Sequence, residues 1–445
     1  MKKILMVLLV VLMAAAVLVA CGKDKVNPED PTKDVSIYKS KSGFDTVNDP
    51  LSWEAINKFP VVHDGMTIEE GRNLVVDFFR YCKTAVWIPS EDYGYKIHSD
   101  SDPDEEIQNI TGGVKYGGLP YISVSSGNIY RLLDYIDPET GVGDMKTMGA
   151  KKTLFGNQCS FGSYVGIGRV INSANYSWTK AMTVSAGFVK VGDYVYDTAT
   201  KEYKNGGYNT VQILEDNGVE FIGDDKKNVK LESLEAMCKC YAGLKKGDVI
   251  VYFTTAGHVV MISEDAHVEY RADGTIDPQK SYVKVIDQTP GHSEMTNAAG
   301  DTFAYEKNVD AKWTFEKLAI GKYIPFTFGE WQGTDPIESS KTEIDYKDET
   351  ISLNKIPNIK INSNYGITDA YVSIYNANGV EVYKIAVRST TTSVKEVKLV
   401  TEGYHVDIWG KEENLKPAEY EYTVKISAQL STGERPVLWE GKLVE

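Results

Sequence analysis

Residues 244–262 read Leu244-Lys245-Lys246-Gly247-Asp248-Val249-Ile250-Val251-Tyr252-Phe253-Thr254-Thr255-Ala256-Gly257-His258-Val259-Val260-Met261-Ile262. Two apolar, β-branched runs, 249–253 and 258–262, are joined by a short turn-forming segment. That pattern predicts neighbouring antiparallel strands buried at the centre of a sheet. A third run of the same kind follows at 282–286. Upstream, Leu231, Leu234, Cys238 and Tyr241 recur at helical spacing and predict an amphipathic helix over 231–244. Thr67-Ile68-Glu69-Glu70 is a capping box, in which each side chain satisfies a free backbone amide of the first turn, and it opens a helix running to about Lys83. Residues 128–136 read as a short helix closed by Asp137-Pro138. Residues 90–121 read as loop, and 188–221 as short strands with glycine turns. Helices that precede an antiparallel sheet make an α+β domain, expected over 51–334.

A further helix is expected within 154–176, despite Gly162, Gly166 and Gly168. Each glycine costs about 1 kcal/mol against alanine in a helix. Their retention predicts a close approach, expected to be to a sheet that leaves no room for side chains. Near Thr334-Asp335-Pro336 the pattern changes to alternating strands, clearest at Tyr420, Tyr422, Val424, Ile426 and Ala428. Asn376-Ala377-Asn378-Gly379 reads as a hairpin turn. Residues 335–445 are therefore expected to form a small antiparallel sandwich of immunoglobulin-like type, with a spacer or binding role.

The chemistry lies in three places. Cys159 stands where the 154–176 helix begins, and a thiolate is stabilised by a helix N-terminus and a nearby histidine. Gln158, just before it, is a candidate oxyanion donor together with the Cys159 backbone amide. His258 opens a buried strand. A third polar group must orient its imidazole, and the next strand ends in Val285-Ile286-Asp287-Gln288. Either Asp287 or Gln288 stands at that position, because a one-residue shift turns the side chain to the other face. His292 is a further candidate. His267, beside Glu264 and Asp265, reads as a surface residue.

The segments Gly156-Asn157-Gln158-Cys159, Leu244 through Ile250, and Gly257-His258-Val259-Val260 resemble the CHAP and NlpC-type cell-wall cysteine hydrolases. These are papain-like folds whose cysteine heads a helix packed on the sheet that carries the histidine. The Gly-Asp-Val turn is the most specific element, and the Gln-Cys pair is closest to the CHAP pattern. The resemblance covers about 112–290. It implies an α+β, helix-plus-antiparallel-sheet fold and hydrolysis of an amide bond in peptidoglycan through an acyl-enzyme, with no cofactor. It also makes Tyr116 or Tyr121 a candidate to line the substrate cleft. Cys159 and His258 are 99 positions apart, more than compact members need, so 182–230 reads as an insertion. Residues 52–154 match no wall-binding repeat. A transglutaminase-like acyl transferase uses Cys, His and Asp in the same order, and a non-catalytic surface-binding protein on a degenerate hydrolase fold is the third reading.

The N-terminus supplies the setting. Lys2 and Lys3 precede an apolar run from 4 to 19 that ends in Leu18-Val19-Ala20-Cys21. This is the layout of a signal peptide over 1–20, and the run falls short of the roughly 20 residues a membrane span needs. A cysteine directly after the small residues predicts a lipoprotein, cut before Cys21 and tethered to a membrane by lipid on it. Residues 21–50 are polar and read as a flexible stalk. The chain is thus expected at the cell surface or in the periplasm, as a monomer. Loss of the leader lysines takes the formal charge from -15 to -17, which argues against nucleic acid as a partner. Cys82 and Cys238 fall on apolar helix faces, which favours core packing; a bridge from Cys82 to Cys238 or Cys240 stays open. Cys238 and Cys240 have no second ligand pair near them in sequence, so no metal site is expected.

Overall fold

The capping box at Thr67 forms as read: its hydroxyl accepts from Glu70 N, and the Glu70 carboxylate accepts from Thr67 N. The helix it starts, Ile68–Thr84, is buried on one side in its first half and on all sides from Phe78 onward. In the computed structural model the described residues are 51–97, 107–122, 129–150, 156–172, 188–190, 209–223, 226, 228–254, 256–289, 292–296, 302–306, 309–333, 336–388, 394–399 and 405–445. The leader, Cys21 and the 21–50 stalk lie outside them. Among the described residues no helix is long and apolar enough to cross a membrane. The architecture is mixed helix and sheet, compatible with an α+β class.

The strands expected around His258 are present as Val249–Phe253, Gly257–His267 and Tyr282–Ile286. They sit inside a six-stranded sheet in the order Val309–Thr314, Tyr282–Ile286, Gly257–His267, Val249–Phe253, Ile324–Phe328 and Phe188–Lys190, every pair antiparallel. Within the stretch read as an insertion, 182–230, Phe188–Lys190 supplies an edge strand of this sheet. The stretch also contains a helix, Thr210–Asp216, where strands and turns were expected; Asn209 caps it.

The Gly247-Asp248 turn has a structural explanation. Gly247 adopts a φ of +82°, and a Cβ there would stand 2.4 Å from the Trp331 ring. Asp248 is buried, accepts from Lys245 N at 2.8 Å and pairs with Arg72 at 2.9 Å. The turn thus fastens the start of the central strand to the Thr67-capped helix.

A second, five-stranded sheet was not expected. Its order is His292–Thr296, Thr302–Glu306, Lys115–Gly117, Val86–Pro89 and Val142–Gly143, with two parallel pairs. Of its strands Lys115–Gly117 falls in the region read as loop; it is three residues long, and Val86–Pro89 and Val142–Gly143 are four and two. They carry no period-two signal of their own, and their pairing partners lie far along the chain. After Tyr282–Ile286 come His292–Thr296 and Thr302–Glu306, paired antiparallel in the second sheet, and then Val309–Thr314 in the first.

The helix expected over 154–176 is Cys159–Ile167, ending at Gly168. Its glycines do permit a close approach, but mainly to another helix. A Cβ on Gly166 would stand 2.9 Å from both Phe79 Cβ and Val75 O, and one on Gly162 would meet Phe79 at 3.1 Å. The sheet contributes Met261 and Gln288 to the same contacts. The 128–136 helix is likewise shorter, Ile129–Leu133. The helix expected over 231–244 is Leu231–Tyr241, with Leu231 66% exposed rather than on the buried face.

Two clusters of buried side chains form, one from Leu51 to Ile337 with Tyr365, the other from Ile351 to Leu443. The second is built on the strand Lys360–Asn376. Its first residues pair with Thr342–Ile344 and Val394–Lys398, and its later ones with Glu381–Arg388 and Tyr422–Leu430. The 376–379 turn closes with Gly379 at φ +74°. Tyr420 is exposed and precedes its strand, and one pair, Thr350–Ile351 with Val437–Leu443, is parallel. Arg388 joins the two clusters. It reaches Asp407 at 2.6 Å, Asp134 at 2.9 Å and Asp369 at 3.0 Å, while Arg131 meets Asp369 at 2.9 Å.

Candidate active site

Cys159 is placed by a short length of parallel pairing. Asn157 N donates to Pro120 O at 2.9 Å, and Ile122 N donates to Asn157 O at 3.2 Å. Gly156 must be glycine here, since a Cβ would stand 2.4 Å from Pro120 O. The pairing sets Tyr121 beside Asn157, two residues before the thiol. Gln158 then adopts extended backbone as the N-cap, its side chain does not cap the helix, and Cys159 is the first helical residue. Its thiol is nearly buried, at the positive end of the helix dipole.

His258 is the second residue of its strand, paired with Tyr252 of the neighbouring one. Its Nε2 is 2.7 Å from Asp287 Oδ1, with the His258 side chain 22% exposed and that of Asp287 4%. The other ring nitrogen, Nδ1, is left for the thiol. The thiol interacts with the His258 ring by hydrogen bond and charge, and the Val259 amide also donates to it. Burial pushes the Cys159 thiol up, but the His258 charge and these two donors outweigh it and hold the thiol below its ordinary value. Burial likewise opposes charge on His258, yet Asp287 and Cys159 together hold it well above the usual histidine range. The two shifts have opposite sign, which favours passing the thiol proton to the ring and makes the two titrate as one unit. Such a pair can attack an electrophilic carbonyl and then protonate a leaving amine.

Of the two candidates for the orienting group, the structure brings Asp287 to His258. The last ladder pair before the chain leaves the sheet is Met261 with Ile286. Asp287 and Gln288 therefore turn to opposite sides. Gln288 turns to the Cys159 helix, where its Cβ lies against Gly162. Its amide is committed elsewhere: Oε1 accepts from Lys83 Nζ at 2.9 Å, and Nε2 donates to Leu119 O at 3.2 Å. Asp287 thus faces His258, while Gln288 faces Lys83 and Leu119.

Tyr121 and Tyr116 separate in the same way. Tyr121 interacts through its hydroxyl with the Cys159 thiol and backbone amide; burial first, then the thiol, pushes its pKa up. Tyr116 is held in the second sheet, its hydroxyl accepting from Thr111 N at 2.9 Å and its ring against Trp87. His267 stacks on Tyr282 and pairs with Glu269 at the surface. His292 starts a strand of the second sheet, and its side chain lies outside the described ones. No disulfide joins Cys82, Cys159, Cys238 or Cys240, so the bridge from Cys82 to the pair does not form. Burial pushes Cys82 up, and Cys238 up to about 12, which favours the neutral thiol at both. Among the described residues no three His, Cys, Asp or Glu side chains gather as a metal site.

The residue missed in the sequence is Lys83, fully buried behind Gln288. The signal was its spacing: Val75, Phe79 and Lys83 fall four apart, which puts a cation on the face that meets the Cys159 helix. No protein-family model matches the chain, and no curated protein matches it in sequence.

Proposed function

We propose that this chain is a lipid-anchored thiol hydrolase that cleaves amide bonds in peptidoglycan peptides. The observation that carries the reading is His258, bound through Nε2 to Asp287 at 2.7 Å and through its other side to a thiol at a helix N-terminus. Cys159 is the nucleophile. It attacks the peptide carbonyl, and the developing oxyanion collects on the Cys159 amide and the Gln158 side chain, with the Tyr121 hydroxyl beside them. The imidazolium of His258 gives its proton to the departing amine, leaving a thioester. Water, deprotonated by His258, then releases the acid and restores the thiol. Asp287 keeps the ring in the tautomer that presents Nδ1 to sulfur.

In this reading the six-stranded sheet and the Cys159 helix are a papain-like core within 51–334, and 335–445 is an immunoglobulin-like module. The substrate class rests on the Gly-Asp-Val and Gln-Cys motifs and on a leader that exports the chain and lipidates Cys21. The test is digestion of purified peptidoglycan by the chain and by its Cys159→Ala form, with mass analysis of what is released. New peptides from the unaltered chain alone support the reading and identify the bond. No release by either, with folding and free thiol verified, leaves a surface-binding protein. Incorporation of an amine into a glutamine donor, without wall cleavage, makes it an acyl transferase.

A further inference from the structure

Lys83 takes no part in the steps above, yet it is the buried cation behind them. It stands in the last turn of Ile68–Thr84 with no solvent exposure. Its ammonium is fixed by Gln288 Oε1 at 2.9 Å, and Gln288 is fixed in turn by the Leu119 carbonyl. The helix end cannot retreat, because Gly118 is packed on the Lys83 carbonyl so closely that a Cβ would stand 2.3 Å from it. An ammonium taken out of water is costly unless opposite charge and hydrogen bonds offset the loss. A methionine of similar length would fill the space without that cost. The carboxylate whose charge acts on Lys83 is Asp287, the partner of His258.

We propose that Lys83 is a positioning residue of the thiol site: clamped by Gln288, its ammonium is a second counter-charge to Asp287 and sets how strongly Asp287 holds His258 as an imidazolium. This rests on the Cys159–His258–Asp287 reading. Burial pushes Lys83 down to about 7, against the pull of Asp287. The other titratable group acting on it is Cys82 on its own helix, which burial keeps neutral. The Cys159 helix presents Gly162 to Gln288 at this contact, and Gln288 and the Leu119 carbonyl are uncharged. Arg169, beyond the end of that helix, acts on Cys82.

The experiment is the pH dependence of Cys159 carboxamidomethylation, read on the peptide that contains it, in the full chain and in Lys83→Met. Removing a positive charge raises the pKa of both neighbours. The rising limb of the alkylation profile is expected to move up by about half a pH unit, roughly threefold in rate at fixed pH on that limb. The His258 titration, followed by NMR of labelled histidine, should move the same way. A purely structural Lys83 would lower the rate without moving either. If Lys83→Met does not fold, the unaltered chain decides: a lysine resonance titrating near neutrality, with a matching second inflection in the His258 curve, supports the coupling. A Lys83 resonance that loses its charge with no matching inflection in the His258 curve overturns it. An unaltered Cys159 that reacts only near the free-thiol value of about 8.5 overturns the thiol-site reading as well. An activated Cys159 whose limb is unmoved in Lys83→Met overturns the Lys83 inference alone.

Discussion

Replacing Asp287 with asparagine exchanges a carboxylate for an amide at the acceptor 2.7 Å from His258 Nε2. The asparagine side chain has the same shape and still accepts from Nε2, so the tautomer that gives Nδ1 to the thiol survives. What is lost is the charge assistance. A hydrogen bond to a charged group contributes about 1.5–3 kcal/mol, and one between neutral groups about 0.5–1.5. The difference between the midpoints, about 1.25 kcal/mol, is nearly tenfold in rate or about 0.9 of a pKa unit. The sign follows from the pair. His258 is held above its ordinary value, so its imidazolium is present at low pH and is lost as pH rises through the raised value. Without the Asp287 charge that loss comes about one unit earlier. Asp287 also opposes ionisation of Cys159, so the acid limb moves down too. The assay is kcat/KM for peptide release between about pH 5 and 9. The expected result for Asp287→Asn is a bell-shaped profile displaced to acid with about tenfold lower activity at pH ~7.5. An undisplaced alkaline limb, or a loss as complete as that of Cys159→Ala, would refute the reasoning.

Two further substitutions test the frame around the site. Gly166→Ala puts a methyl 2.9 Å from Phe79 Cβ and Val75 O; the overlap costs about 1–3 kcal/mol, partly offset by the better helix propensity of alanine, and a thermal melt should show a lower Tm. An unchanged Tm would mean that the two helices can move apart freely. Arg388→Ala leaves Asp134, Asp369 and Asp407 buried without their shared cation, a loss of about 3–5 kcal/mol measurable by denaturant titration. Burial raises Asp369, but Arg131 and Arg388 outweigh it and hold its carboxyl below 3.8. Their stabilisation is present above that value and lost as pH falls through the depressed one. The variant should therefore unfold at a higher pH than the unaltered chain during acid titration, and coincident acid transitions would count against the network.

What the sequence carried and what it hid have physical causes. The strands around His258 were legible because a sheet buried on both faces needs continuous β-branched runs, and 249–253 and 258–262 supply them. The Thr67 helix was legible because its cap is local. Cys159 and His258 stood out through their flanks, Gln158 before one and Gly257 before the other. The choice between Asp287 and Gln288 was not legible, since it depends on the ladder register beyond Ile286 and hence on which way each side chain turns. Lys83 was hidden because its partner Gln288 is 205 positions away. Arg388 and Asp134, 254 apart, were hidden for the same reason. The second sheet escaped because Lys115–Gly117 and Val86–Pro89 owe their form to partners rather than to their own pattern. Thr210–Asp216 could have been found from the Asn209 cap, had the glycines before it not suggested turns.

The central claim is that His258 makes Cys159 a thiolate, and alkylation measures this without a substrate. Iodoacetamide at about pH 6 is applied to the unaltered chain and to His258→Ala, with modification counted on the peptides holding Cys159, Cys82 and Cys238. Cys159 is expected to react on the order of 10–100 times faster in the unaltered chain than in His258→Ala, with Cys82 and Cys238 slow in both. Equal rates for Cys159 in the two proteins, or a Cys159 no faster than Cys82, would contradict the account.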